Sequence, residues 1–186
     1  MAQNTGNVTA GKPAIGGAIW RAAKGTSAPT DATTALAATF KGLGYCSEDG
    51  LVNSNAPSTE FIRAWGKDIV LTLLDEKNDN FQVTLIEALN EDVLKAVYGS
   101  SKVTGSLSTG LTVEVDNSLP EEGVWVVDMV MNSNTIKRVV IPHGVLTDLG
   151  DITYSDSDAV GYEVTITAMP DSTTGKTHYE YIKQQS

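Results

Sequence analysis

Apolar and polar residues alternate along this chain in short runs, separated by polar, glycine-rich stretches, and the period predicts strands. Ala18 to Ala22 (AIWRA) is the first plausible strand. A turn-rich link, 24–34, follows it. Thr34 to Gly42 (TALAATFKG) fits a helical turn or an irregular segment, and Leu43 to Ser47 is expected to be extended. Gly50, Asn53, Asn55 and Pro57 mark Glu48 to Ser58 as a loop. Thr59 to Trp65 (TEFIRAW) and Asp68 to Leu74 (DIVLTLL) read as two strands turning at Gly66-Lys67. Asp75 to Asn80 (DEKNDN) is all polar and predicts a solvated turn into a third strand, Phe81 to Ile86. Together these three predict an antiparallel meander with one strongly apolar side.

The pattern then changes period once. Asn90 suits a helix N-cap, Glu91 and Asp92 suit its first turn, and Gly99 suits its stop. Val93, Leu94 and Val97 share one face, enough to seat a short helix on a sheet. Gly99 to Gly110 reads as a Gly/Ser/Thr connector. Strands are expected again at Leu111 to Val115, Val124 to Met131, Thr135 to Ile141, Val160 to Ala168 and Thr177 to Ile182, with Asn132-Ser133-Asn134 as a hairpin turn. Many strands and one helix predict a mainly β fold, an antiparallel β-sandwich or partly closed barrel. No internal repeat or low-complexity block is visible.

Length and charge refine this picture. The 186 residues suit one domain, 17–186, preceded by a flexible arm, 1–16, rich in Asn, Thr, Gly and Ala. Neither a secretion signal nor an apolar stretch long enough to span a membrane is seen. A single cysteine, Cys46, permits no intramolecular disulfide and fits a reducing compartment. The formal net charge is −10, yet residues 1–30 hold Lys12, Arg21 and Lys24 and no acid. An acidic body repels nucleic acid from outside; a basic end on it can dock head to tail on a second copy, though charge alone favours a short, weakly charged end that frays in solvent.

Catalytic chemistry finds little support. His143 and His178 have no metal-ligand neighbour at helical spacing; the first reads as a turn residue at a strand end, the second as a strand surface residue. PDSTTGKT (Pro170 to Thr177) ends like a phosphate-binding loop but has Pro170 at the glycine position, and a strand is expected to follow, so a hairpin turn explains it. No GxSxG elbow occurs. The acidic run Asp151 to Asp158 lacks the Gly and terminal Glu of a calcium loop. An enzyme is not expected, and neither a cofactor nor a metal.

Several pieces in order resemble the opening of tail tube proteins from long-tailed, noncontractile (siphovirus-type) bacteriophages. They are GAIWRA (Gly17 to Ala22), GTSAPTDA (Gly25 to Ala32), LGYCSEDGL (Leu43 to Leu51), EFIRAWGKDI (Glu60 to Ile69) and FQVTLIEALNEDVLKAVYG (Phe81 to Gly99). The resemblance spans roughly residues 14–100; beyond 110 it is one of type only. It implies the phage tail tube fold and a structural virion protein. Subunits would form hexameric rings, each adding strands to a shared barrel, and rings would stack with help from arms and a long loop. Tape-measure, terminator and tail tip or initiator proteins are the implied partners. DNA would pass through an acidic lumen without sequence-specific binding, and no membrane would be involved. Assembly in the host cytoplasm and residence in the virion tail follow from the same resemblance. It makes loop 47–58 and connector 99–110 candidate inter-subunit or flexible segments. Lys12, Arg21, Lys24, Glu48 and Asp49 become candidates for inter-subunit contact, and Asp68, Asp75, Glu76 and Asp79 for the lumen. The alternatives are the tube of a contractile tail, bacteriocin or secretion machine, and a monomeric β-sandwich binding module.

Overall fold

A computed structural model describes residues 3–132 and 134–185. Its strands, in chain order, are β1 (Lys12–Pro13), β2 (Ile19–Ala23), β3 (Lys41–Gly42), β4 (Val52–Ser54), β5 (Ser58–Arg63), β6 (Ile69–Glu76) and β7 (Asn80–Leu85). After the helix α1 (Glu91–Tyr98) come β8 (Val103–Ser106), β9 (Gly110–Val113), β10 (Gly123–Met131), β11 (Thr135–Leu149), β12 (Tyr162–Ala168) and β13 (Tyr179–Gln184). The fold is mainly β and antiparallel, with one α-helix among the described residues, as the alternation predicts.

Nine strands join in one sheet, ordered β3-β2-β10-β11-β12-β7-β4, with β1 beside β10 and β13 beside β11. Strand β11 is its pivot. Its first half pairs β13 (Val140↔Tyr179) and its second half pairs β12 (Gly144↔Ala168), so the sheet splits and folds over itself. The bend falls at Pro142-His143-Gly144, where β10 shifts register between Gly123 and Trp125. Proline is tolerated there because a bulge has no ladder bond for it to break. Gly144 is needed for close approach, since a Cβ would stand 2.6 Å from Trp125 Cδ1. His143 is therefore inside a 15-residue strand, not in a terminal turn.

Between the two halves lies the main core. Ile19, Trp125, Val127, Val139 and Ile141 meet Phe81, Val83, Leu85, Val164 and Ile166, with Val93, Leu94 and Val97 of α1 closing one end. The helix is capped as the sequence suggests: Asp92 N–H donates to Asn90 Oδ1 at 3.0 Å, and Gly99, at φ 106°, ends it. So short a helix holds only through this packing. A second cluster, Ala22, Phe40, Val124, Val126 and Val140, covers the opposite face of β2, β10 and β11 beneath the irregular segment 24–40. Burial on both faces is why Val124–Val127 reads as an unbroken apolar run.

Other expectations need correction. The meander does not form: β5 and β6 make a separate two-stranded sheet, while β7 pairs β12 and β4. Ile69–Leu74 is apolar on both faces, so it cannot be a strand with one face on a core and one in water. The loop 47–58 contains β4, and the connector 99–110 contains β8, which returns as β9 (Val103↔Val113). The turn in PDSTTGKT is not a hairpin turn, since β12 and β13 pair β11 and not each other. It is closed by Thr173 and Thr174 N–H on Asp171 Oδ1 at 3.0 and 2.8 Å. In the expected turn at Asn132-Ser133-Asn134, Ser133 lies outside the described residues; Asn134 sits at φ 54°.

Candidate assembly surfaces

The hairpin β5–β6 stands off the body. Every residue of both strands is exposed, and the register places Ile62 opposite Leu71 and Glu60 opposite Leu73 on one face. Phe61, Val70 and Leu74 fall on the other. Phe61, Ile62, Ile69, Val70, Leu71, Leu73 and Leu74 are between 41% and 64% exposed. At the tip, Gly66 (φ 110°) and Lys67 (φ 76°) make a tight turn held by Ala64 N–H on the Asp68 carbonyl at 2.8 Å. Trp65, at the tip, is fully exposed. A lone two-stranded ribbon is marginal in water, and apolar side chains on both faces mark a ribbon made to be covered on both.

The arm is the second surface. Residues 8–14 run beside the end of β10: Thr9 Oγ1 accepts from Asn132 N–H at 2.8 Å, Lys12 pairs Val130, and Ala14 N–H donates to the Asp128 carbonyl. Between this arm and residues 44–51 opens a largely apolar cleft of about 690 Å³, floored by Val83, Val127 and Met129. Glu48, Glu87 and Lys12 stand in its walls.

The third surface is the outer face of β4, β7 and β12. The inward residues of β7 and β12 are buried, and the partners Thr84↔Glu163, Gln82↔Thr165 and Asn80↔Thr167 point the other way, whereas β4, at the edge, is exposed throughout. Gln82 donates to Glu163, Thr167 Oγ1 to Asn80 Oδ1 at 2.8 Å, and Thr147 Oγ1 contacts Thr167 Oγ1 at 2.7 Å. Among the described residues this face carries hydroxyls, amides, one carboxylate and, at its edge, Val52 opposite Gln82, with neither Lys nor Arg.

The candidate charges divide between these surfaces and the interior. Glu48 and Asp49 are exposed beside the cleft and Lys12 lies in its wall. Lys24 is exposed but pairs with Glu122 of its own chain. Arg21 is no surface cation: it is 8% exposed, its guanidinium 5.6 Å over the Trp125 ring, and Nη2 donates to the Glu121 carbonyl at 2.7 Å. Burial lowers its pKa, against the pull of Glu121. Asp68, Asp75 and Glu76 are exposed on the hairpin.

Asp79 is not solvated, because the polar run turns inward there. It is 3% exposed and accepts from Asn53 Nδ2 at 2.8 Å, from Thr177 Oγ1 at 2.7 Å and from His178 Nδ1. It thereby ties β4 and β7 to the start of β13. His178 is accordingly half-buried, edge-on to Phe81 at 5.2 Å, and not a strand surface residue. Alternation cannot reveal such pairs; only three-dimensional proximity does.

Burial pushes the Asp79 carboxyl up, but the hydrogen bonds from Thr177, Asn53 and His178 outweigh it and hold its pKa below the usual carboxylate range. A folded-state pKa below the unfolded one gives stability that is complete above about pH 3.9 and is lost as pH falls through the folded value. Urea unfolding of Asp79→Asn should therefore show two things. Its midpoint at pH 7 should fall by the equivalent of about 1–3 kcal/mol, and its further loss between pH 5 and 2 should be smaller than that of the wild type. Equal acid slopes in the two proteins would refute the assignment.

Among the described residues, no group of three or more His, Cys, Asp or Glu is placed to hold a metal, and no helix is long and apolar enough to cross a membrane. The family model described as phage tail tube protein matches the chain over residues 1–186. The match includes the half beyond residue 110. No curated protein matches the chain at a significant level.

Proposed function

Since this chain belongs to the phage tail tube protein family, and is thus a structural component of a virion tail that assembles into a tube, we propose that its subunits form stacked hexameric rings around a DNA conduit. The observation that carries this reading is the hairpin β5–β6, whose two apolar faces have no cover among the described residues. Ring closure is a heterologous contact that rotation completes, whereas stacking repeats without closing and yields a filament. The outer edge of β13 has no strand partner from Tyr179 to Lys183 among the described residues, which supports its use in sheet extension between subunits.

For the lumen, Asp75 and Glu76 remain candidates, exposed at the end of the hairpin away from its tip; Asp68 belongs to the tip turn, and Asp79 is buried. The cation-free face of β4, β7 and β12 supports a second lining. Duplex DNA carries one charge per roughly 1.7 Å, and a basic lining would hold it by releasing counterions. A wall of hydroxyls, amides and carboxylates gives no such grip, so DNA slides toward ejection. We assign the tube to a noncontractile tail, assembled in the host cytoplasm with tape-measure, terminator and initiator proteins.

Sedimentation velocity across a concentration series tests self-association. The expected result is growth from monomer through ring-sized to much larger species. A single monomer boundary at every concentration, initiator proteins included, would favour a monomeric binding module instead.

A further inference from the structure

We infer that the hairpin tip of one subunit seats in the cleft under the N-terminal arm of the next, with Trp65 as the buried anchor. The inference rests on the tube assignment and adds which two surfaces meet. The tip is a preformed knob. Arg63 Nη1 donates to the Lys67 carbonyl at 3.1 Å, and the Ala64–Asp68 bond closes the turn beneath a fully exposed indole. Tryptophan and arginine on a rigid support are the residues that most often anchor protein interfaces.

The cleft is the fitting hole. Its volume of about 690 Å³ lies in the range of sites that enclose compact organic groups, and its floor of Val83, Val127 and Met129 is apolar. The charges are complementary. Arg63 and Lys67 against Asp68 leave the tip at +1, while Glu48 and Glu87 against Lys12 leave the cleft at −1. Opposite signs set the register of approach, and desolvation of the indole supplies the affinity. β5 and β6 contact chiefly each other, so the hairpin does not enter the cleft of its own subunit. Two different patches meeting head to tail give a contact that repeats along a filament. Hairpins pairing with one another would give a symmetric contact that closes at a dimer.

Zero-length carbodiimide coupling of wild-type tubes, built from equal parts ¹⁵N-labelled and unlabelled subunits, tests this without mutation. Mass spectrometry should find Lys67 joined to Glu48 or Asp49 in mixed-isotope peptides, present in tubes and absent from dissociated subunits. As a second readout, Trp65→Ala should raise the critical concentration for assembly by about 10- to 100-fold, and Trp65→Phe should recover most of that loss. Tubes in which Lys67 couples only to residues away from the cleft would overturn the knob-and-cleft contact and leave the tube function standing. So would tubes in which Trp65→Ala assembles like wild type. A wild-type chain that forms no tubes even with initiator proteins would overturn both.

Discussion

Replacing Leu71 and Leu74 together with aspartate abolishes tube growth at concentrations where the wild type assembles, and leaves the monomer folded. Leu71 is 50% exposed and Leu74 64%, one on each face of the hairpin. Completing the burial of two half-exposed leucines contributes about 1–1.5 kcal/mol each at a subunit contact. Aspartate adds the penalty of an unpaired charge in a closing apolar interface. The critical concentration should therefore rise at least about 100-fold, as read by light scattering. Monomer stability should move by less than about 0.5 kcal/mol, because neither leucine touches either core cluster. Assembly with wild-type critical concentration would show that the hairpin is not an assembly surface.

The second large effect lies inside the subunit. Arg138 is 5% exposed; its Nε and Nη2 donate to the two carboxylate oxygens of Asp128 at 2.6 and 3.0 Å. Nη1 donates to the carbonyls of Asp31 and Thr34 at 3.2 and 2.7 Å. One guanidinium thus joins β10, β11 and the irregular segment that covers the second core cluster. Asp128→Ala leaves that cation buried with only carbonyls for company. Breaking a buried pair in this way destabilises by about 3–5 kcal/mol. For a chain of this size the melting temperature should fall on the order of 10 °C, as read by calorimetry. A shift of a degree or less would mean that water reaches the guanidinium.

What the sequence disclosed, and what it hid, follows from the range of the forces involved. Helix α1 was legible because its signals are local: the Asn90 cap, Glu91 and Asp92 after it, and the Gly99 stop all act within one turn. β7 and β12 were legible from strict alternation, one face on the core and one in water. The hairpin was found as a strand pair but assigned to the wrong sheet. Its apolar residues stay 41% to 64% exposed, so the rule that apolar strands pack on the core misplaces it. Pro142-His143-Gly144 read as a turn because local rules cannot see a strand passing from one half of a sheet to the other. Arg21 and Asp79, both read as surface charges, have partners far along the chain, Trp125 on β10 for the first and Thr177 and His178 just before β13 for the second, and no short-range pattern announces such pairs. Asp68, Asp75 and Glu76 on the hairpin and Glu48 and Asp49 in the loop are exposed.

The central claim is that this protein builds a hollow tube, and imaging it in the electron microscope tests that most directly. Purified, tag-free protein would be examined by negative stain across a concentration series, with and without tail initiator and tape-measure proteins. The account predicts rings or tubes with a stain-filled central channel, and none from the Leu71→Asp/Leu74→Asp variant under the same conditions. Wild-type subunits that remain single particles even with those partner proteins present would contradict it.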